Sequence, residues 1–351
     1  MDFPFTNLSS FHSELLQSTM LGQLCGKDEL FRDRYQISRI LGRGGFGVTF
    51  LAKDYSHPDH PNCVIKLLCP KVSSESALET AKLRFEREAK ILSKLGHHEQ
   101  IPTLIDYFVM AGEFYLVQEY IQGGTLARLI RRHGPLSEAA VRQFLREMLP
   151  LLHYIHSNQV IHRDLKPQNI IRCPTKKRLV LIDFGAVKEL IAHMDEGTCK
   201  GVTTHFVGTV GFAPPEQFSL RPVYSSDLYA LGVTCLYLLS GIGPLDLDVD
   251  RHTGKFLWHD RIKVSEELSD ILDKMLHPSH RERFASARSI LVALNGGTEN
   301  LFDCLAAPPP GNEEEPEEVP GYQAPSLRDA IAIRDWKKRQ KRDLLRNSSQ
   351  G

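Results

Sequence analysis

The sequence predicts an α+β fold of two lobes, a small antiparallel β-sheet lobe carrying one helix and then a larger, mainly helical lobe. Three observations carry that expectation. Segments that alternate apolar and polar side chains crowd between Tyr35 and Tyr120. One helical repeat, Ser76 to Leu95, interrupts them. After the break Gln122-Gly123-Gly124 the patterning turns mainly helical.

Residues 1–33 form an N-terminal extension, a leader or a small packing helix, with weak helical spacing in Phe11, Leu15, Leu16 and Met20. Tyr35 to Leu41 alternates, Gly42-Arg43-Gly44-Gly45-Phe46-Gly47 follows, and Val48 to Ala52 runs back, which reads as a hairpin with a Gly-rich turn. Cys63 to Leu68 is a third strand. In the helical repeat Leu78, Leu83, Phe85, Ala89, Leu92 and Leu95 fall near one face, and Gly96 stops it. Ile101 to Phe108 and Phe114 to Tyr120 read as two more strands, completing a lobe over 34–121. In the second lobe, 122–300, Leu136 to Ser157 is long and periodic. Tyr224 to Ser240 is nearly all apolar and predicts a buried helix. Gly241 to Asp260 has little helical pattern. Over 301–351, Pro308-Pro309-Pro310 and Glu313-Glu314-Glu315-Pro316-Glu317-Glu318 bury no apolar surface and predict disorder, and Trp336 to Arg342 is a basic cluster.

Composition excludes several functions. The 43 basic residues balance 43 acidic ones, which argues against a dedicated nucleic-acid binder. No apolar run has transmembrane length, and Met1 to Ser10 lacks a secretory signal pattern. The seven cysteines are scattered singly, an odd number with no Cys-x-x-Cys, so they read as reduced thiols of a cytoplasmic protein rather than a zinc site.

Four short patterns carry chemistry. Gly42-Arg43-Gly44-Gly45-Phe46-Gly47 alone is claimed equally by a dinucleotide fold and more often by a flexible turn, but Val48 and a following strand favour a hairpin lying over phosphates. Lys66 alone is a surface lysine, yet it sits in the apolar run Val64-Ile65-Lys66-Leu67-Leu68. His162-Arg163-Asp164-Leu165-Lys166-Pro167-Gln168-Asn169 sets a base, a cation and an amide in one loop. Asp183-Phe184-Gly185 follows the apolar strand Leu179 to Ile182, and alone is a turn. Together they supply a phosphate cover, a cation, a base and two metal ligands.

In this order and spacing the four patterns resemble the eukaryotic-type (Hanks-type) serine/threonine protein kinases, over roughly Tyr35 to Asn295. Gly45-Phe46-Gly47-Val48-Thr49-Phe50-Leu51-Ala52, Gln100 to Phe108 and Phe212-Ala213-Pro214-Pro215-Glu216-Gln217 are similar to the bacterial members abundant in cyanobacteria. The resemblance implies the bilobal protein-kinase fold, ATP with Mg²⁺ or Mn²⁺, and protein substrates with serine or threonine acceptors. It implies a nucleotide site from Leu41, Gly42, Arg43, Gly44, Gly45, Phe46, Gly47, Val48 and Val64, the connector residues Glu119 and Ile121 reading adenine, and Gln118 at its rear. Lys66 would touch the α- and β-phosphates, braced by Glu88, with Glu86 as competitor on another face. Asp164 would take or orient the acceptor proton, Lys166 steady the transferring phosphate, and Asn169 and Asp183 hold the metal. Phe184 would stack with His162, Leu92 and Leu104. Glu216 would pair with Arg283, Asp227 cap the catalytic-loop backbone, and Thr209 touch Asp164 and Lys166.

Arg163 and Lys188 match a basic pair that receives a phosphate on the activation segment, with Thr203 and Thr204 as acceptors and Thr198 behind them. A polar loop rich in threonine is the plainer account of that segment. Thr125 and Gln168 stand where arginine-directed kinases carry acidic residues, so no demand for basic residues before the acceptor is expected. The rival readings are a pseudokinase scaffold, which would normally lack one of Lys66, Asp164, Asn169 or Asp183, and a small-molecule kinase, which would lack the Glu216 and Arg283 segment. The basic tail could touch anionic lipid, occupy the cleft, or simply be solvated.

Overall fold

The protein is seen in a computed structural model that describes residues 19–44, 47–68, 75–96, 98–189, 208–250 and 252–296, without the side chains of 43, 44, 75–81, 84, 188 and 189. Gly45, Phe46, Thr198, Thr203, Thr204, the basic tail, and the side chains of Arg43 and Lys188 lie outside the described residues.

The first element is α1 (Met20–Leu24), capped by the Thr19 hydroxyl. It lays Leu21 and Leu24 into the core formed with Phe31, Tyr35, Ile37, Phe50 and Ile65. The strands β1 (Leu30–Phe31), β2 (Tyr35–Gly44), β3 (Gly47–Asp54), β4 (Asn62–Leu68), β5 (Leu104–Met110) and β6 (Glu113–Glu119) make one antiparallel sheet in the order β1-β2-β3-β4-β6-β5. Gly47 begins β3 at φ 153°, where a Cβ would stand 2.0 Å from the Leu67 carbonyl oxygen, so no other residue fits. β4 puts Lys66 between Thr49 and Leu116 in the middle of this sheet. The strand expected from Ile101 starts at Leu104 instead. Ile101 is buried in the preceding turn, and Pro102 has no N–H to give a ladder.

The helix α2 (Glu75–Leu95) lies between β4 and β5 in the chain. Its buried stripe is Phe85, Glu88, Ala89, Ile91, Leu92 and Leu95, the three- and four-residue spacing of one helix face. Leu83, assigned to that face from its spacing, is 48% exposed. It precedes Phe85 by two residues, about 200° around the helix.

The second lobe begins with β7 (Gly124–Thr125), α3 (Leu126–His133) and α4 (Glu138–Ser157), followed by β8 (Val160–Ile161), β9 (Ile170–Cys173), β10 (Arg178–Leu181) and β11 (Lys188–Glu189). β9 sits between β10 and β7, and β11 pairs with β8. Then come a single turn α5 (Pro215–Phe218), α6 (Tyr224–Ser240), α7 (Glu266–Met275) and α8 (Ala287–Leu294). Almost every residue of α6 is buried, as its apolar run predicts, with α4 and α7 packed against it. Gly241 to Asp260 holds one 3₁₀ turn, Pro244–Asp246, and the bridge Val249–Phe256.

Besides the connector 119–122, several side chains tie the lobes together, among them Lys94, whose Nζ donates to the Asn158 carbonyl at 2.6 Å, Lys176, whose Nζ donates to the Glu99 carbonyl at 3.4 Å, and Arg178, paired with Glu99 at 3.2 Å. Gln100, buried after α2, donates to the Leu179 carbonyl at 3.0 Å, and its own carbonyl accepts from Leu181 N at 2.9 Å. These bonds fix the end of β10, from which Ile182 leads to Asp183.

Candidate active site

Lys66 is the centre of a first cluster of charged side chains. Its Nζ donates to Glu88 Oε1 at 2.8 Å and to Asp183 Oδ1 at 3.0 Å, linking β4, α2 and the end of β10. Burial alone would lower the Lys66 pKa, but Asp183 and Glu88 together hold it above the ordinary lysine value. The same ammonium holds Asp183 down at about 2, so this carboxylate is ionised throughout the physiological range. Burial pushes Glu88 up more than Lys66 pulls it down. Asp183 has left-handed backbone, φ 71°, which turns its carboxylate out of the strand direction. Gly185 leaves room for the brace, since a Cβ there would meet Glu88 Oε2 at 3.1 Å.

Phe184 is fully buried and meets His162 edge-to-face, with centroids 5.0 Å apart at 75°. His162 Nδ1 accepts from Asp164 N at 3.3 Å, so the neutral ring carries its proton on Nε2, a buried atom with no hydrogen-bond partner. Burial lowers the His162 pKa against the pull of Asp227, Asp164 and Asp183.

A second cluster is built around Asp164. Thr209 Oγ1 donates to Asp164 Oδ1 at 2.6 Å. Lys166 Nζ donates to Asp164 Oδ2 at 2.7 Å and to Thr209 Oγ1 at 2.6 Å. Asn169 Nδ2 donates to Asp164 Oδ2 at 3.0 Å and to the Asp164 carbonyl at 2.9 Å. A carboxylate offers about four lone-pair sites, two on each oxygen, so Oδ1 keeps one for an incoming hydroxyl.

The loop is held from below by Asp227 at the start of α6. Its Oδ2 accepts from His162 N and its Oδ1 from Arg163 N, both at 2.8 Å. Burial would raise the Asp227 pKa, but His156 and the loop amide hold it below the ordinary carboxylate value. Arg163 donates from Nε to the Ala186 carbonyl and from Nη2 to the Val187 carbonyl at 3.1 Å, so its guanidinium already ties the loop to the start of the activation segment. The far end of that segment is locked by Glu216. Arg283 Nη1 and Nη2 reach its two oxygens at 2.7 and 3.1 Å, and Ser226 Oγ donates to Oε1 at 2.7 Å.

On the nucleotide side Val64, Gln118 and Ile121 are buried. Val48 packs into the sheet core. Glu119 N is bonded to the Thr103 carbonyl at 2.9 Å, and the Glu119 carboxylate to Lys176 at 2.7 Å. Thr125 caps α3 through its hydroxyl. The connector also borders a cavity of about 430 Å³ that reaches Leu51, Asn62, Cys173, Thr175 and Lys176, away from Lys66 and Asp183.

Three residues that sequence reasoning assigned no role belong to this framework. His156 Nε2 bonds Asp227 Oδ2 at 2.9 Å. Gln100 ties the lobes, and Gln217 Nε2 donates to the Arg163 carbonyl at 2.7 Å. Gln217 closes the phrase Phe212 to Gln217 quoted above, which gave it no role of its own.

Among the described residues no group of three or more His, Cys, Asp and Glu is spaced to hold a metal. Asp183 and Asn169 instead offer one ionised carboxylate and one amide oxygen, the Asn169 nitrogen being committed to Asp164. That donor set suits a hard cation such as Mg²⁺ that draws its other ligands from phosphate and water.

A protein kinase domain model matches residues 35–293. The chain is similar to serine/threonine-protein kinase B of Synechocystis sp., 46% identical over 286 residues that cover 81% of this chain and 50% of that protein. It is similar to serine/threonine-protein kinase PknA of Nostoc sp., 43% identical, with 77% and 48% covered. A more distant relative is serine/threonine-protein kinase PknD of Mycobacterium tuberculosis, 30% identical, with 74% and 39% covered. The chain spans about half the length of the cyanobacterial relatives it matches. Among the described residues no helix is long and apolar enough to cross a membrane.

Proposed function

The chain belongs to the protein kinase domain family, and from that membership we propose that it transfers the γ-phosphoryl group of ATP to serine and threonine hydroxyls of proteins. The observation that carries this reading is the triangle of Asp164, Thr209 and Lys166, closed by bonds of 2.6 to 2.7 Å. In a bare polar loop nothing requires those groups to converge.

Lys66 binds the α- and β-phosphates, oriented by Glu88, beneath Leu41, Val48, Val64 and the loop Gly42 to Gly47. Glu119 and Ile121 read adenine through their backbone. Asp183 and Asn169 hold a divalent cation, Mg²⁺ or Mn²⁺, which when bound supplies positive charge beside the phosphates. Asp164 accepts the hydroxyl proton on Oδ1 as the acceptor oxygen bonds the γ-phosphorus and the bond from that phosphorus to the bridging β–γ oxygen breaks. Lys166 lies beside the reacting oxygens and offsets their negative charge. The presence of Lys66, Asp164, Asn169 and Asp183 together weighs against a nucleotide-binding scaffold without catalysis.

The kinase also modifies its own activation segment in this reading, at Thr203 or Thr204, whose phosphate pairs with Arg163 and Lys188. It acts in the cytoplasm, a reading supported by seven cysteines scattered singly along the sequence with no Cys-x-x-Cys.

Incubation of the purified chain with γ-labelled ATP and Mg²⁺, with and without dephosphorylated casein, tests all of this. Label enters protein serine and threonine, and Asp164→Asn and Lys66→Ala each lower the rate by ~10²–10⁴-fold. Equal labelling by wild type and Asp164→Asn would sink the assignment. Mass spectrometry of the same active sample finding Thr203 and Thr204 unmodified would remove the activation-segment part alone.

A further inference from the structure

The peptide unit joining Arg163 to Asp164 is held at both of its polar atoms. Its N–H, that of Asp164, donates to His162 Nδ1 at 3.3 Å. Its carbonyl, that of Arg163, accepts from Gln217 Nε2 at 2.7 Å. Arg163 itself has left-handed backbone, φ 67°, which an arginine adopts only against a steric cost. Asp227 holds the N–H on the other side of Arg163, so the backbone is clamped before and after the strained residue. Rotation of that peptide plane would swing the Asp164 side chain away from Thr209 and Lys166.

Gln217 is 3% exposed and stands on the turn α5, one residue after Glu216. Glu216 is anchored by Arg283 and Ser226. The position of the Gln217 amide is therefore fixed by the helical core, and its bond carries that position to the residue before Asp164. We infer that Gln217 is a positioning residue for phosphoryl transfer, holding the Arg163–Asp164 peptide plane so that the Asp164 carboxylate faces the acceptor hydroxyl. This rests on the kinase reading above and assigns Gln217 no contact with substrate.

The test uses the full chain, ATP, Mg²⁺ and dephosphorylated casein. Gln217→Met keeps the volume and removes the donor, and kcat falls about tenfold while the KM for ATP stays within about twofold, as expected when a group acts on the reacting geometry alone. Gln217→Glu places a carboxyl there that can donate to the Arg163 carbonyl only when protonated. Its kcat relative to wild type at the same pH is low at about pH 8 and recovers toward pH 6, because burial raises the pKa of such a carboxyl. The charged and titratable groups on the elements that meet there are Glu216 on α5 with its partner Arg283, Arg163 and Asp164 on the catalytic loop, His162 before them and Asp227 on α6. Taking the ratio to wild type at each pH removes their own titration. Melting temperatures of all three proteins are measured alongside. A merely structural role lowers the melting temperature without recovery of kcat in the Glu variant at low pH, and that result overturns the inference, as does a Met variant with wild-type kcat. A wild type that transfers no phosphate overturns the kinase reading and this inference together, whereas an active wild type matched by both variants overturns only the role of Gln217.

Discussion

Thr209 shows how much one hydroxyl can decide. It donates to Asp164 Oδ1 while accepting from Lys166 Nζ, so a single oxygen orders an anion and a cation on the acceptor side. Thr209→Val keeps the branched shape and removes both bonds. Hydrogen bonds to charged groups contribute about 1.5–3 kcal/mol, so kcat falls roughly 10- to 100-fold if they persist at the transition state. Thr209→Ser restores the hydroxyl and recovers most of the rate, and steady-state kinetics of the two variants with ATP held saturating decide the matter. Lys66, Asp164, Asn169 and Asp183 could be singled out from the sequence because four short motifs, each of them alone an ordinary turn or a surface residue, stand in one order and spacing. Gln100 and Gln217 were not. A glutamine takes its meaning from the atom it reaches, and these reach partners 79 and 54 residues away. No local period or composition encodes such a separation.

At the scale of elements, α5 is the clearest case of a short piece held by distant ones. Four residues make a marginal helix on their own. The Arg283 guanidinium fixes it, bonding both Glu216 oxygens and the carbonyls of Ser225, His277 and Pro278. Burial would raise the Glu216 pKa, yet Arg283 and Ser226 hold it below the ordinary value. Removing the arginine strands a half-buried carboxylate, so Arg283→Ala costs about 3–5 kcal/mol of stability. Arg283→Lys recovers little of it, because an ammonium cannot match the planar fork. Urea unfolding of the two variants measures both expectations, and a lysine variant as stable as wild type would refute the second. The helices α2 and α4 were readable from periodicity and α6 from its apolar run, whereas α3, α7 and α8 were not singled out. The face of α2 was misjudged at Leu83, since six apolar positions crowd more than one stripe and only packing selects among them.

Across the whole molecule, the titration pattern predicts how stability follows pH. Burial holds His98, His153 and His162 below the usual 6.5, His162 against three facing aspartates. Below that value the unfolded chain binds protons that the folded one refuses, so stability falls as pH drops from about 7 to 5. The depressed carboxylates act lower. Asp54 and Asp183 at about 2, with Glu216 and Asp227 also lowered, add stability that is complete above the ordinary carboxylate range and lost only as pH falls beneath it. Melting temperature against pH therefore declines in two stages, and His162→Phe flattens the first. A curve without a decline between pH 7 and 5 would contradict this. The lobed plan was legible from the strand-rich beginning and the glycine break. The ties between the lobes were not, because they join residues far apart in the chain, Lys94 to Asn158 and Gln100 to Leu179 among them.

Those ties share their load. From the end of α2 and the stretch that follows it they reach different parts of the second lobe, Lys94 to Asn158 and Gln100 to Leu179, while Arg178 and Lys176 reach back to Glu99. A rope of several strands holds when one of them parts, so the loss of any one of these side chains leaves the others still spanning the seam.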